Sequence, residues 1–183
     1  MTRTRSKPEP AAKPAPHIEV TPAAAEQEPV LANLLQLYAH EFSEFLDVPL
    51  QNDGRFGAYK DLPLYWHDPG RHPFLIWVKG KLAGFALVKN ESETSANQRI
   101  WDMAEFFVVR AHRRRGIGTQ VAYEIWKRFP GPWQVRVMQA NVSARRFWEA
   151  AIRRFTGKTI RPVLMKKDGE GWYVFSFESF SSQ

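Results

Sequence analysis

The sequence predicts one mixed α/β domain, a mostly antiparallel sheet with helices on both faces. Three observations carry this. Residues 100–155 read strand, basic glycine loop, helix, strand, helix. Two further strand pairs, one around Gly80 and one around Asp168-Gly169-Glu170-Gly171, have the tight turns of hairpins. An apolar stripe at helical spacing follows Pro29. With 183 residues the chain suffices for one well-packed domain and is too short for two large ones.

Taken in order, residues 1–16 are rich in Pro, Ala, Lys and Arg with no apolar period. They read as a disordered basic tail, and residues 17–183 as a single domain. His17–Val20 suits a short first strand. Pro29 fits the first turn of a helix. Leu31, Leu34, Leu35, Tyr38, Phe42, Phe45 and Leu46 make its apolar face, and Asp47-Val48-Pro49 closes it. Turn signals fill 50–73 (Asn52-Asp53-Gly54, Asp68-Pro69-Gly70), with a short helical piece near Tyr59–Trp66. Phe74–Lys79 and Lys81–Lys89 flank Gly80 as a hairpin, and Glu91–Gln98 is a polar loop.

Ile100–Val109 is rich in aromatic and β-branched residues and reads as a strand. Ile117, Val121, Ile125, Trp126 and Phe129 then share a helical face until Pro130-Gly131-Pro132 stops the helix. Trp133–Met138 alternates as a strand. Asn141 suits an N-cap, and Ala144, Phe147, Trp148, Ala151, Ile152 and Phe155 form one face of a helix that Gly157 ends. Thr159–Lys166 and Trp172–Phe180 complete a second hairpin, with Tyr173, Phe175 and Phe177 on one face.

Composition removes several function classes. There is no cysteine, hence no disulfide framework, thiol nucleophile or cysteine metal site. The five histidines are scattered, so no metal site is expected. No apolar run reaches membrane-span length, and the start of the chain lacks the apolar core of a signal peptide. We therefore expect a cytoplasmic protein without membrane contact. The net charge is +7, and the tail carries +3 of it through Arg3, Arg5, Lys7 and Lys13 against Glu9.

The remainder is mildly basic, and part of that excess sits at Arg110, Arg113, Arg114 and Arg115, just before Gly116-Ile117-Gly118. Glycine lets a ligand approach the backbone. A helix N-terminus offers unpaired N–H groups and the positive end of a dipole, and arginine adds forked donors for phosphate oxygens. The same residues also suit a solvated basic turn. The loop lacks the lysine of a phosphate-binding P-loop and the third glycine of a dinucleotide fingerprint.

Arg113-Arg114-Arg115-Gly116-Ile117-Gly118 resembles the Arg/Gln-x-x-Gly-x-Gly/Ala motif of the GNAT family of N-acetyltransferases. Glu105-Phe106-Phe107-Val108 resembles that family's fourth strand, and Asn141-x-x-Ala144-x-x-Phe147-Trp148-Glu149 the motif after its fifth. The resemblance implies a sheet splayed between the fourth and fifth strands, with acetyl-CoA in the gap. It implies that Arg113, Arg114, Arg115, Gly116, Ile117, Gly118 and Thr119 hold the pyrophosphate. Phe107 and Val108 would hold the pantetheine through their backbone, and Asn141 and Phe147 would lie beside it. The stretch containing Tyr59, Tyr65, Trp66, His67 and Arg71 would face the acceptor.

Direct acetyl transfer to a primary amine, with no covalent enzyme intermediate, is the leading expectation. The backbone N–H of Val108 would stabilise the oxyanion, and Asn141 is grouped with the catalytic residues. Glu105, the carboxylate nearest the loop in an apolar strand, would be the general base, with burial raising its pKa. It could instead pair with an arginine or face solvent. Strand alternation puts Asp102 on the opposite face. Trp148 stands where family members often carry a proton-donating Tyr, leaving Tyr173, another tyrosine or water for that step. A non-catalytic acyl-CoA-binding module and a basic nucleic-acid binder are the alternatives. No metal is called for, and homodimers are common in the family.

Overall fold

The computed structural model describes residues 17–90 and 100–180. The expected tail at 1–16 and the loop at 91–98 lie outside the described residues. Seven strands form one sheet: β1 (Ile18–Pro22), β2 (Arg71–Val78), β3 (Lys81–Lys89), β4 (Trp101–Val108), β5 (Gly131–Met138), β6 (Val163–Lys167) and β7 (Glu170–Ser179). Their order is β1-β2-β3-β4-β5-β7-β6. Every neighbouring pair is antiparallel except β4 and β5. Helix α1 (Glu28–Phe42) and a 3-10 turn, Leu62–Trp66, cover one face. Helices α2 (Ile117–Arg128) and α3 (Val142–Thr156) cover the other.

Each layer follows from its side chains. Leu31, Leu34 and Leu35 of α1 are buried against Leu75, Phe85, Leu87 and Phe107. Ile117, Val121, Ile125 and Trp126 of α2 join Trp148 and Ile152 of α3 over Ile76, Val88, Val135 and Phe175. The turn after β2 has positive φ at Lys79 (52°) and Gly80 (70°), the backbone a two-residue hairpin needs. The second hairpin repeats this at Asp168 (53°) and Gly169 (85°). Asn141 Oδ1 accepts from the Ala144 N–H at 2.9 Å, and Gly157 ends α3 at φ 70°.

Several boundaries differ from the sequence pattern, among them β6, which begins at Val163 rather than Thr159. Helix α1 stops at Phe42 rather than near Leu46, where the Ser43 hydroxyl donates to the His40 carbonyl at 2.7 Å. Strand β2 begins at Arg71, so that residue belongs to the sheet and not to the preceding loop. β5 begins at Gly131, whose φ of 118° only glycine adopts easily. Strand β6 is exposed along its whole length at the sheet edge, and Lys166 and Lys167 end its apolar run. Among the described residues no helix is long and apolar enough to cross a membrane.

Two irregularities position the functional region. β4 and β5 pair only at Trp101–Trp133 and Asp102–Gln134, and no further rung joins them. β4 also carries a bulge, because Leu87 pairs with Glu105 while its neighbour Val88 pairs with Met103. Ala104 is the extra residue. Where β3 and β4 come closest, a Cβ added to Gly84 would stand 2.0 Å from the Phe107 carbonyl oxygen. We predict that Gly84→Ala costs roughly 3 kcal/mol and lowers Tm by roughly 6–12 °C. Gly171→Ala is the control, since its added methyl meets only the flexible Gln139 side chain. Equal, small Tm changes for both would refute the close-approach argument.

Candidate active site

The gap between β4 and β5 is the centre of the site. Alternate residues of a strand direct their N–H and C=O groups to opposite edges. The Val109 N–H bonds the Ala83 carbonyl at 2.9 Å, towards β3. The backbone groups of Val108 and Phe106 therefore face the gap. Those of Phe107 face β3, as its carbonyl beside Gly84 confirms. This corrects the expectation for Phe107: the strand phase assigns its backbone to the sheet and gives the open edge to Phe106 and Val108. The Phe107 side chain is buried under α1.

The basic loop stands at the end of the same strand. Arg114 (φ 60°) and Gly116 (φ 76°) take the left-handed conformation, which turns the chain sharply into α2. The Gln120 N–H is the first in α2 to find an acceptor one turn back, the Gly116 carbonyl at 3.1 Å. The amides of Ile117, Gly118 and Thr119 precede it and form the donor end of the helix. Arg114 and Arg115 are exposed beside them.

Three residues of the loop motif also make contacts within the fold. The Arg113 guanidinium folds back: its Nε donates to the Val108 carbonyl at 2.5 Å and its Nη2 to Glu41 of α1 at 2.6 Å. It also lies 5.5 Å from the centre of the Phe107 ring. It ties the loop to α1 and leaves anion contact to its neighbours. Ile117 is a core side chain, 1 % exposed, so only its amide reaches the loop. A Cβ on Gly118 would meet the Phe147 ring at 3.2 Å. Gly118 is thus required for α2–α3 packing as well as for backbone access. Phe147 in turn stacks on Phe106 with ring centres 6.1 Å apart.

On the α1 face of the gap sits Glu105. The bulge at Ala104 shifts the alternation by one residue and brings Asp102 onto this face as well. This overturns the expectation that Asp102 and Glu105 lie on opposite faces. Asp102 is fully buried, and its Oδ2 accepts from Arg136 of β5 at 2.8 Å. Burial raises the Glu105 carboxyl to about 7. Tyr38 hydrogen bonding, the Arg136 charge and Tyr59 hydrogen bonding offset part of that rise, whereas the Asp102 charge adds to it. Burial and the Glu105 charge push Tyr38, Tyr59 and Tyr65 well above the ordinary phenol range.

The structure separates the acceptor-side residues. Tyr59 and Tyr65 belong to the Glu105 cluster. Trp66 does not, because its indole N–H donates to the Ala23 carbonyl at 2.9 Å and secures the start of α1. His67 is exposed. Arg71 lies across the Tyr65 ring at 5.6 Å and pairs with Asp68 at 3.3 Å and Asp61 at 3.8 Å, a buttress behind the tyrosine. Sequence reasoning missed Tyr38, whose helical spacing made it look like one more apolar contact, and Arg136, hidden in an alternating strand. Trp148 is 6 % exposed, packed on Phe106, Phe147 and Trp126. The Tyr173 ring lies under Arg145, 4.1 Å away. Among the described residues, no three His, Asp or Glu side chains are grouped to hold a metal ion.

An open edge with free amides, a helix N-terminus beside exposed arginines, and a half-neutral carboxyl among tyrosines suit an anionic cofactor and a proton-losing acceptor. Comparison with known proteins agrees with this geometry. Among solved structures, an acetyltransferase from Thermus thermophilus is similar, with TM-score 0.63, 18 % identity, and coverage of 88 % of this chain and 96 % of that one. A GNAT-family acetyltransferase from Bacillus cereus gives TM-score 0.60 at 14 % identity, covering 90 % and 99 %. A spermidine N-acetyltransferase from Vibrio cholerae, in complex with CoA and spermine, gives 0.59 at 12 %, covering 88 % and 95 %. At such identities these likenesses establish the fold. No curated protein sequence matches the chain. The acetyltransferase (GNAT) family profile matches residues 31–151, well over half of the sequence, and the chain belongs to that family.

Proposed function

We propose that the protein is an acetyl-CoA-dependent N-acetyltransferase that moves an acetyl group directly to a primary amine. The observation that carries this reading is the juxtaposition on β4 of Glu105, poised near neutrality, and the gap-facing Val108 N–H three residues on. Bound acetyl-CoA supplies the activated acetyl thioester. The first-turn amides of α2, with Arg114 and Arg115, bind its pyrophosphate. The open backbone groups of Phe106 orient the pantetheine, Val108 offers the gap only its N–H because Arg113 holds its carbonyl, and the Asn141 amide nitrogen, free of the capping bond that its Oδ1 makes, adds a donor.

The chemistry of the acceptor sets what the residues must do. An alkylamine of pKa about 10.4 costs about 4–5 kcal/mol to neutralise at pH 7. Glu105 takes that proton before attack and so frees the nitrogen lone pair for the carbonyl carbon. The Val108 N–H donates to the carbonyl oxygen as charge builds there. The thiol released has a pKa near 8.5, a fair leaving group, so the packed Trp148 need not supply a proton. The similarity to an enzyme described as a spermidine N-acetyltransferase puts polyamines among the first acceptors to try.

Three outcomes test the reading. First, kcat/KM should rise with pH through about 7 as Glu105 ionises. Glu105→Gln should lower turnover by roughly 10²–10⁴ and remove that inflection. Its thermal stability has a definite sign too. The folded pKa of about 7 exceeds the ordinary value of 4.5, so the unfolded chain releases the proton first and ionisation costs the wild type stability between those values. The Tm of Glu105→Gln relative to wild type should be higher at pH 8 than at pH 5. A pH-independent Tm difference would argue against a strained carboxylate.

Second, Asp102→Asn removes a neighbouring negative charge and leaves Arg136 to act on Glu105 alone. The pH–rate inflection should move acidward. A move in the other direction would break the assigned coupling. Third, the double substitution Arg114→Ala/Arg115→Ala should weaken acetyl-CoA binding by roughly 10- to 100-fold and flatten its salt dependence, measured by titration calorimetry. Unchanged affinity would sink the loop assignment. Acetyl-CoA binding without turnover of any amine would favour the non-catalytic module.

A further inference from the structure

In a continuous sheet the Val108 carbonyl would accept an N–H from β5. β4 and β5 share no rung beyond Asp102–Gln134, so β5 supplies no donor there. The Arg113 side chain takes that place, its Nε donating to the Val108 carbonyl at 2.5 Å. The other end of the same peptide unit is held as well, since the Val109 N–H donates to the Ala83 carbonyl at 2.9 Å. A peptide unit is planar, so holding both of its polar ends fixes the whole unit. The unit that carries the Val108 N–H is its neighbour across one Cα, and a turn of either moves that N–H.

Arg113 reaches this position because Glu41 holds it. Its Nη2 donates to Glu41 Oε2 at 2.6 Å, and its Cζ lies 5.5 Å from the centre of the Phe107 ring. The second carboxylate oxygen of Glu41 accepts from Arg110 Nε at 3.1 Å. Beside this bridge a hollow of about 290 Å³ is lined by Leu37, His40, Phe107 and Val109, with Glu41 and Arg110 as its charged wall. Side chains thus leave the space between the last turn of α1 and the end of β4 unfilled, and the ion bridge spans it. The Glu41 side chain is 22 % exposed, that of Arg113 38 % and that of Arg110 74 %. Ion pairs open to water in this way add little to stability. What the bridge controls is the aim of one amide.

We propose that Glu41 is a positioning residue for acetyl transfer: through Arg113 it fixes the Val108–Val109 peptide unit and so directs the Val108 N–H at the oxyanion. The role rests on the acetyltransferase reading above. A donor to a developing oxyanion acts only within a narrow range of distance and angle, and small misplacements cost large factors in rate.

The test compares the wild type with Glu41→Ala, Arg113→Ala, Arg113→Lys and the double variant Glu41→Ala/Arg113→Ala. Turnover is measured with acetyl-CoA and a panel of alkylamines and polyamines, acetyl-CoA affinity by titration calorimetry, and exchange of the Arg113 Nε–H with water by NMR. That N–H should exchange slowly in the wild type and quickly in Glu41→Ala. Glu41→Ala should lower kcat roughly tenfold, with the amine KM and the acetyl-CoA affinity nearly unchanged. The pH–rate inflection that Glu105 sets should stay in place, and Tm should move by no more than about 2–4 °C. Arg113→Lys should be as slow as Arg113→Ala, because an ammonium lacks the fork that reaches both acceptors. The double variant should be no slower than Arg113→Ala alone. Wild-type turnover with unchanged kcat in Glu41→Ala overturns this inference alone. So does a lowered kcat with the Arg113 N–H still protected, full activity in Arg113→Lys, or a loss confined to acetyl-CoA affinity, which would make the bridge part of the cofactor site. If acetyl-CoA binds and no amine of the panel turns over, this inference and the reading beneath it fall together.

Discussion

The Asp102–Arg136 ion pair governs the shape of the site. Asp102 is fully buried on the last rung that joins β4 to β5, and Arg136 stands two residues beyond the facing position on β5. A buried carboxylate without a partner is expensive, so the pair holds the two strands at one separation where their backbone bonds have ended. The gap therefore opens from a fixed point. The same pair sets the field at Glu105, one member lowering its pKa and the other raising it. Architecture and acid–base chemistry share one contact.

The sheet divides labour between its faces. The α2–α3 side carries helix amides and exposed arginines, and the α1 side carries three tyrosines and two carboxylates. Only the splayed edge of β4 belongs to both. Arg113 couples the halves mechanically, because it joins the basic loop to Glu41 of α1 while holding the Val108 carbonyl. The carbonyl of the residue whose N–H faces the gap is thus fixed by the basic loop.

Much of this was legible in the sequence. The order of strands and helices, both hairpins, the Asn141 cap and the burial of Glu105 follow from periodicity, turn residues and the isolation of one carboxylate in an apolar strand. What escaped has a physical cause in each case. Strand alternation assumes an unbroken pleat, and the bulge at Ala104 reverses the phase, which moved Asp102 to the other face. The assignment of Phe107 to the open edge failed because which backbone groups are free depends on partner strands, and side chains do not report that. Tyr38 fits the apolar stripe of α1, since a phenol at helical spacing looks like any other ring until its hydroxyl finds a carboxylate. Trp66 and Arg71 turn to partners within the fold, Ala23 and Asp68, which the turn signals of 50–73 did not disclose.

The close approach at Gly84 separates what can vary in this molecule from what cannot. With no room for even a methyl group between β3 and β4, close backbone contact helps to fix the depth of Glu105 and the aim of the Val108 amide. The wall opposite is made by α1 and by residues 51–66, most of which are solvent-exposed between Gln51 and Lys60. Surface segments accept substitutions and changes of length at little cost. Descendants of this chain could therefore rewrite that wall and inherit the strand that carries Glu105 intact.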